Sequence, residues 1–168
     1  ALGVSTRIPP VSITAADFDT KVDDLRGDRA KASEMEHAIR HHIREHLDED
    51  PVFYESLSQR LDNILKQFEG QWEQLDLALK DLVAEVRAGR QSDDSGLDPE
   101  REAPFYDLLR RGLDAEVAKF GGVDKIVRTL AVDLVARIST DISVVGFWEN
   151  AHAQDELRKR IVHRLDGQ

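Results

Sequence analysis

The sequence predicts an all-α protein, a bundle of about seven helices with an extended N-terminal arm and no sheet. Apolar side chains recur every three or four residues through most of the chain, which is the spacing of helices with one buried face. Proline and glycine interrupt this pattern at intervals that suit helices, because proline cannot continue a helix interior and glycine readily ends one. Strands find little support in the pattern.

The predicted arm comprises residues 1–14, and two helices are expected after it. We expect Thr14 to cap a short first helix that ends at Gly27. We expect Asp28 to cap a longer second helix that continues to about Asp48. The apolar stripe of the second helix consists of Ala32, Met35, Ile39, Ile43 and Leu47.

Two more helices are expected before residue 90. Pro51 follows Asp50 and favours the start of the third helix, because proline is preferred at the first helical position. Gly70 ends this helix, and the fourth is expected from Trp72 to Gly89. The apolar faces consist of Leu57, Leu61, Ile64 and Phe68 in the third helix, and of Trp72, Leu75, Leu79, Leu82, Val83 and Val86 in the fourth.

A polar segment over residues 90–97 separates two helical halves, residues 15–89 and 98–166. Its content of Ser, Asp and Gly is typical of a surface loop. We interpret residues 15–168 as a single helical domain, because a chain of 168 residues has the length of one domain of ordinary size.

Three helices are predicted after this loop. The fifth is expected to end at Gly121, with Gly112 as a weak point inside it. Asn150 is expected to cap the seventh. The positions predicted to face a core are Phe105, Leu108, Leu109, Leu113 and Val117 in the fifth helix, Ile126, Val127, Leu130, Leu134, Val135, Ile138 and Ile142 in the sixth, and Leu157, Ile161 and Leu165 in the seventh.

The composition excludes several classes of protein. The 33 acidic and 23 basic residues give a net charge of -10, which argues against binding duplex DNA or an anionic membrane over the whole surface. The absence of cysteine excludes disulfides, iron–sulfur clusters and a cysteine nucleophile, and is compatible with the cytoplasmic location that we expect. Apolar runs fall short of the roughly 20 residues of a membrane-spanning helix. The start, without Met or a signal peptide, looks like a cut from a longer chain.

Four of the six histidines lie among glutamates within residues 31–51. His42, Glu45 and His46 match the HxxEH pattern of one class of zinc peptidase, in which two imidazoles bind the metal beside a carboxylate base. A metal-dependent helical enzyme is therefore the alternative hypothesis. A catalytic zinc also needs a third protein ligand, which the pattern does not supply. We favour neutral, hydrogen-bonded histidines packed at the edge of a core.

Two ExxH pairs, Glu34 with His37 and Glu149 with His152, resemble the motif of di-iron four-helix bundles. Glu34 and His37 lie nearly opposite the apolar stripe of the second helix and are expected to face water. Glu149 precedes the last predicted helix. We therefore expect solvated charged side chains here and no metal site.

Residues suited to docking a partner lie near the C-terminus. Phe147 and Trp148 come just before the cap of the last helix, where they either anchor a partner or close the core. No phosphate-binding loop, dinucleotide turn or nucleophile elbow is present, so no catalytic or cofactor-binding residue is predicted. Four basic residues either complement the helix dipole in solvent or steer an acidic partner surface or DNA phosphates: Arg158, Lys159, Arg160 and Arg164.

The longest distinctive stretch is KASEMEHAIRHHIREHLDEDPVFYESLSQRLDNIL, residues 31–65. Others are GLDPEREAPFYDLL, residues 96–109, FWENAHAQDELRKRI, residues 147–161, and the long apolar helix between them. These stretches resemble the C-terminal helical region of the R (restriction) subunits of type I restriction-modification enzymes. The resemblance covers most of residues 15–165.

This resemblance implies that the intact subunit is an ATP-dependent DNA translocase and endonuclease that works with methyltransferase (M) and specificity (S) subunits. It implies that the nuclease and motor domains, with their ATP and magnesium, lie N-terminal to this region. It also implies that the region is a helical module that holds the R subunit on the methyltransferase core, with DNA bound through the complex. No catalytic motif of the family falls on these positions, so no catalytic residue is carried over.

Overall fold

The computed structural model describes residues 12–166, where the regular structure is helical and no strand occurs. The predicted all-α fold class is confirmed. Most of the predicted arm, residues 1–11, lies outside the described residues. Seven α-helices follow in chain order: α1 (Phe18–Asp23), α2 (Asp28–His46), α3 (Pro51–Gln67), α4 (Trp72–Ala88), α5 (Ala103–Gly112), α6 (Val123–Ile142) and α7 (Ala151–Asp166).

The chain divides between Gln91 and Ser92 into two compact units. We call them the N-terminal unit, which contains α1 to α4, and the C-terminal unit, which contains α5 to α7. The division falls inside the polar segment that the sequence predicts as a loop. That residues 15–168 form a single domain stays a prediction.

The core of the N-terminal unit is formed by the apolar faces of its four helices. Because the predicted stripes of α2 and α4 recur at helical spacing, most of their side chains are buried where α2 packs against α3 and α4. The prediction is wrong for Trp72, which is 41 % exposed, and Leu47 is only partly buried. Ile13, from the segment before α1, is also buried, and its carbonyl accepts a hydrogen bond of 2.7 Å from Arg87 Nε. A single apolar residue outside any periodic pattern gives no sign of burial in the sequence.

The third helix starts at Pro51, as predicted, and the side chain of Asp50 caps it. The Asp50 carboxylate Oδ1 accepts a hydrogen bond of 3.2 Å from the backbone N–H of Phe53. The same carboxylate binds Arg90 through Nε to Oδ2 at 2.7 Å and Nη2 to Oδ1 at 3.1 Å. This buried ion pair joins the start of α3 to the segment that follows α4.

Two predicted helix caps are wrong. Asp17, and not Thr14, precedes α1, since the Thr14 hydroxyl is instead hydrogen-bonded to Ser12 Oγ at 2.9 Å. Gly27, and not Asp28, precedes α2, with a backbone φ of 88° that glycine adopts readily. Asp28 lies in the first turn of α2, where its negative charge complements the helix dipole.

The fifth helix is shorter than predicted. It ends at Gly112 and not at Gly121, and Leu113 adopts an extended backbone. A short 3-10 turn, Val117–Lys119, lies between α5 and α6. The physical reason is the low helix propensity of glycine, which is about 1 kcal/mol less favourable than alanine in a helix interior.

The C-terminal unit has a small core. Asn150 caps α7 as predicted, because its Oδ1 accepts a hydrogen bond of 3.0 Å from the backbone N–H of Ala153. Within residues 12–166, no helix is long and apolar enough to cross a membrane. The buried side chains of the C-terminal unit are Leu97, Ala103, Pro104, Val127, Ala131, Leu134, Phe147 and Leu157.

Candidate docking surface

Exposed apolar side chains are concentrated on the C-terminal unit. Among residues 12–166, twelve large apolar side chains are exposed, and ten of them belong to this unit. The sequence predicts a core position for four of the ten, so this prediction is wrong for them: Leu108 (41 % exposed), Val117 (43 %), Ile126 (57 %) and Leu165 (40 %). Three helices do not enclose all the apolar faces that the sequence gives them. The exposed faces form a candidate surface for a partner.

The two aromatic residues before α7 have different environments. Phe147 is 6 % exposed and belongs to the core, whereas Trp148 is 71 % exposed. Their rings meet edge to face, with centroids 5.2 Å apart. Gln154 Nε2 donates hydrogen bonds to the carbonyls of both residues, at 3.2 Å and 2.8 Å, which holds this turn on α7. Of the two alternatives left by the sequence, core closure applies to Phe147, and Trp148 is left accessible.

The four basic residues predicted for docking do not form one cluster. Arg160 Nη2 lies 2.9 Å from Asp141, and Arg164 Nη2 lies 3.3 Å from Asp133. Both partners are on α6, so this pair of arginines faces that helix. Lys159 binds the carboxylates Asp155 (2.9 Å) and Glu156 (3.0 Å) of its own helix, and Arg158 is exposed.

The helices α6 and α7 run antiparallel and leave a groove between them. The direction follows from the ion pairs, since Arg160 binds late in α6 and Arg164 binds two turns earlier. The groove has a volume of ≈ 850 Å³. Its large apolar lining residues are Leu134, Ile138, Leu157 and Ile161. The groove was not predicted, because it depends on how far apart two helices lie rather than on the pattern of either one.

The residues just before the aromatic pair are also exposed, which the sequence does not predict. Val144 and Val145, in the turn after α6, are 64 % and 100 % exposed. The only available signal was their place in an apolar run that interrupts the helical pattern. Two exposed valines and an exposed tryptophan therefore lie within residues 144–148, which adds to the exposed apolar side chains of this unit.

The histidines of the zinc-peptidase pattern are packed against each other. The rings of His42 and His46 are stacked with centroids 4.1 Å apart, and the Tyr54 ring lies about 6 Å from each. His46 Nδ1 forms a hydrogen bond of 2.9 Å with the His42 carbonyl oxygen. Both side chains are partly buried, as expected for histidines at the edge of a core.

The candidate metal motifs, which lie within the described residues, do not form a metal-binding group in this structure. The Glu45 side chain is exposed, and its carboxylate lies 3.0 Å from His41 Nδ1. His37 is exposed on α2. In the part of the chain that the structure describes, no three His, Asp or Glu side chains form a group that could hold a metal ion.

Acidification is expected to destabilise the N-terminal unit through His42. Burial, followed by the charge of His46, lowers the pKa of His42 below its ordinary value of 6.5, against the opposing charges of Glu45 and Glu49. The unfolded chain therefore binds a proton at a higher pH than the folded chain. The stability from neutral His42 is complete above pH 6.5 and is lost as the pH falls through the lower pKa of the folded state.

This pH dependence is measured by urea unfolding at several pH values between about 7.5 and about 5. We expect His42→Gln to reduce the decline in the free energy of unfolding with falling pH. His152→Gln, at an exposed histidine of α7, is the control and should leave the decline unchanged. An equal decline in all three proteins would contradict the role of His42.

The structure thus defines an all-α protein of two compact helical units. Over residues 4–167 the chain matches the family described as type I restriction enzyme HindI endonuclease subunit-like, C-terminal. Because this match spans nearly the whole sequence, the chain belongs to that family, which confirms the resemblance found in the sequence. Comparison with curated proteins and with solved structures gives no match.

Proposed function

We propose that this chain is the C-terminal helical assembly domain of a type I restriction enzyme R subunit, and that it docks that subunit onto the methyltransferase and specificity subunits. The observation that supports this most strongly is the exposure of apolar side chains at helical core positions of the C-terminal unit, among them Ile126 and Leu165. These side chains recur at the spacing of a buried helix face but are exposed in the single chain. Such exposure favours their burial against a partner.

The surroundings of Trp148 suit the centre of such an interface. Tryptophan and arginine are the residue types most enriched among those that dominate binding energy. Trp148 projects from a turn whose carbonyls are bound by Gln154 and whose other aromatic, Phe147, is buried. The exposed ring is therefore presented by a supported backbone, and its immobilisation on binding loses little conformational entropy.

The proposal assigns no catalysis and no cofactor to this chain. ATP, magnesium and the nuclease centre belong to the preceding domains of the R subunit, and DNA is bound through the assembled complex in the cytoplasm. The metal-enzyme alternative receives no support from the geometry, because the described His, Asp and Glu side chains include no group of three that could hold a metal ion, and Glu45 is paired with His41.

The test is the affinity of the purified chain for the immobilised complex of its cognate M and S subunits. We expect Trp148→Ala to weaken binding by about tenfold to a hundredfold, the loss typical of removing an interfacial tryptophan. Because Trp148 is 71 % exposed, its removal should leave helix content unchanged. The matched control is Trp72→Ala, which removes the other tryptophan, a 41 % exposed residue of the N-terminal unit, and should leave binding unchanged. Equal binding by parent and Trp148→Ala would refute a docking role for this residue.

A further inference from the structure

The groove between α6 and α7 is an incompletely filled helical interface. Although α7 is 16 residues long, Leu157 is its one buried side chain among those described. Ile161, another apolar residue of α7, lines the groove beside α6 and is only partly buried. A helix with an apolar stripe is stabilised mainly by burying that stripe, so these two helices suit the addition of a third.

The rim of the groove has an excess of positive charge. Arg137 Nε lies 2.9 Å from Asp133, and Arg164 binds the same carboxylate at 3.3 Å, so two guanidinium groups share one carboxylate. With Arg160 and Asp141, the rim contains three arginines against two aspartates. Each guanidinium has five N–H donors, and a shared carboxylate does not satisfy all of them. This local excess contrasts with the net charge of -10 of the whole chain.

We propose that this groove binds an amphipathic helix of the methyltransferase–specificity core, with an apolar stripe that covers Leu134, Ile138 and Ile161 and with aspartate or glutamate side chains that reach the rim arginines. This inference rests on the proposed function and names the chemistry of the partner. A helix fits because two antiparallel helices offer a long apolar channel, the geometry in which helix-in-groove recognition occurs. Acidic flanks fit because arginine binds carboxylates through paired N–H donors.

DNA is a poorer occupant than a protein helix. Phosphates would meet the rim arginines but would leave the apolar floor in contact with water, and the groove has an apolar floor of four side chains. The acidic surface of the chain as a whole also repels a polyanion.

Blocking the groove tests the inference. Ala136, exposed on α6 at the groove, is replaced by tryptophan, and Ala88→Trp at an exposed alanine of α4 is the matched control. We expect Ala136→Trp to weaken binding to the M and S subunits at least tenfold and Ala88→Trp to leave it unchanged. Arg137→Glu, which changes the rim charge without filling the groove, should weaken binding most at low salt.

A photo-crosslinking side chain at Thr140, an exposed residue of the groove wall, identifies the occupant directly. The expected product joins Thr140 to a segment of the M or S subunit that has an apolar helical stripe and flanking acidic residues. A crosslink to a second copy of this chain, to DNA, or to a segment without acidic residues would overturn the inference.

The outcomes separate this inference from the proposed function. If the parent chain does not bind the M and S subunits, the proposed function fails. If the parent binds and folded Ala136→Trp and Arg137→Glu bind equally well, the proposed function stands and the groove is not the docking site. Circular dichroism of each variant establishes that it is folded. If Ala136→Trp does not fold, the crosslink at Thr140 decides whether the groove is the docking site.

Discussion

Replacing Asp50 with alanine is expected to lower the free energy of unfolding of the N-terminal unit by about 3 kcal/mol, the range found when one partner of a buried ion pair is removed. The side chains of Asp50 and Arg90 are only 10 % and 20 % exposed, so water compensates little for the lost carboxylate. The same change removes the hydrogen bond to the N–H of Phe53, which contributes about 1 kcal/mol at a helix N-terminus and is included in this total.

Urea unfolding in a Trp148→Phe background measures this effect, because Trp72 is then the single tryptophan and reports on the N-terminal unit. Asp62→Ala is the control, since the side chains of Arg40 and Asp62 are 37 % and 48 % exposed, more than those of the Asp50 pair, and this ion pair should contribute less than about 1 kcal/mol. A loss for Asp50→Ala no larger than that for Asp62→Ala would show that the buried pair does not stabilise the unit.

Replacing Phe18 with alanine is expected to destabilise the same unit by about 3 to 5 kcal/mol, the usual loss for a buried phenylalanine. Phe18 is 1 % exposed and is the large apolar anchor of the short helix α1. The guanidinium of Arg87, on α4, lies 5.2 Å from the centre of its ring and also binds Asp19, so the ring and the ion pair together hold α1 against α4.

The same fluorescence measurement tests this second prediction. Leu77→Ala is the matched control, because Leu77 is a 59 % exposed apolar residue of α4 and its truncation should change stability by less than about 0.5 kcal/mol. If Phe18→Ala unfolds at the same urea concentration as the parent, α1 is not part of the cooperative core.

Features determined by neighbouring residues were predictable from the sequence. The apolar stripes of α2 and α4 follow from helical spacing. The start of α3 at Asp50 and the cap of α7 at Asn150 each depend on a side chain that accepts a hydrogen bond from the first turn of its own helix. The end of the fifth helix was predicted too late, because its apolar spacing continues past Gly112 although the helix does not. The burial of Ile13 was not predictable, because it depends on contacts with residues distant in sequence and Ile13 belongs to no periodic apolar pattern.

The sequence indicated part of the candidate surface and not the groove between α6 and α7. The sequence indicated the segment from Phe147 to Leu165, but adjacent aromatics give no pattern that tells which one faces the core. That choice depends on the turn at Gly146, which has a φ of 78° and directly precedes the 3-10 turn Phe147–Glu149. Likewise, the position of α6 determines that Arg160 and Arg164 pair with that helix whereas Arg158 and Lys159 do not.

The proposal that this chain docks the R subunit is tested most directly by competition. The M and S subunits are mixed with the intact R subunit that contains this domain, an excess of the isolated chain is added, and the assemblies are counted by native mass spectrometry. Docking through this chain predicts that the chain occupies the M and S subunits and that the fraction bearing the intact R subunit falls as the chain concentration rises, with Trp148→Ala a weaker competitor. An undiminished fraction of R-bound complex at saturating chain concentration would contradict the account.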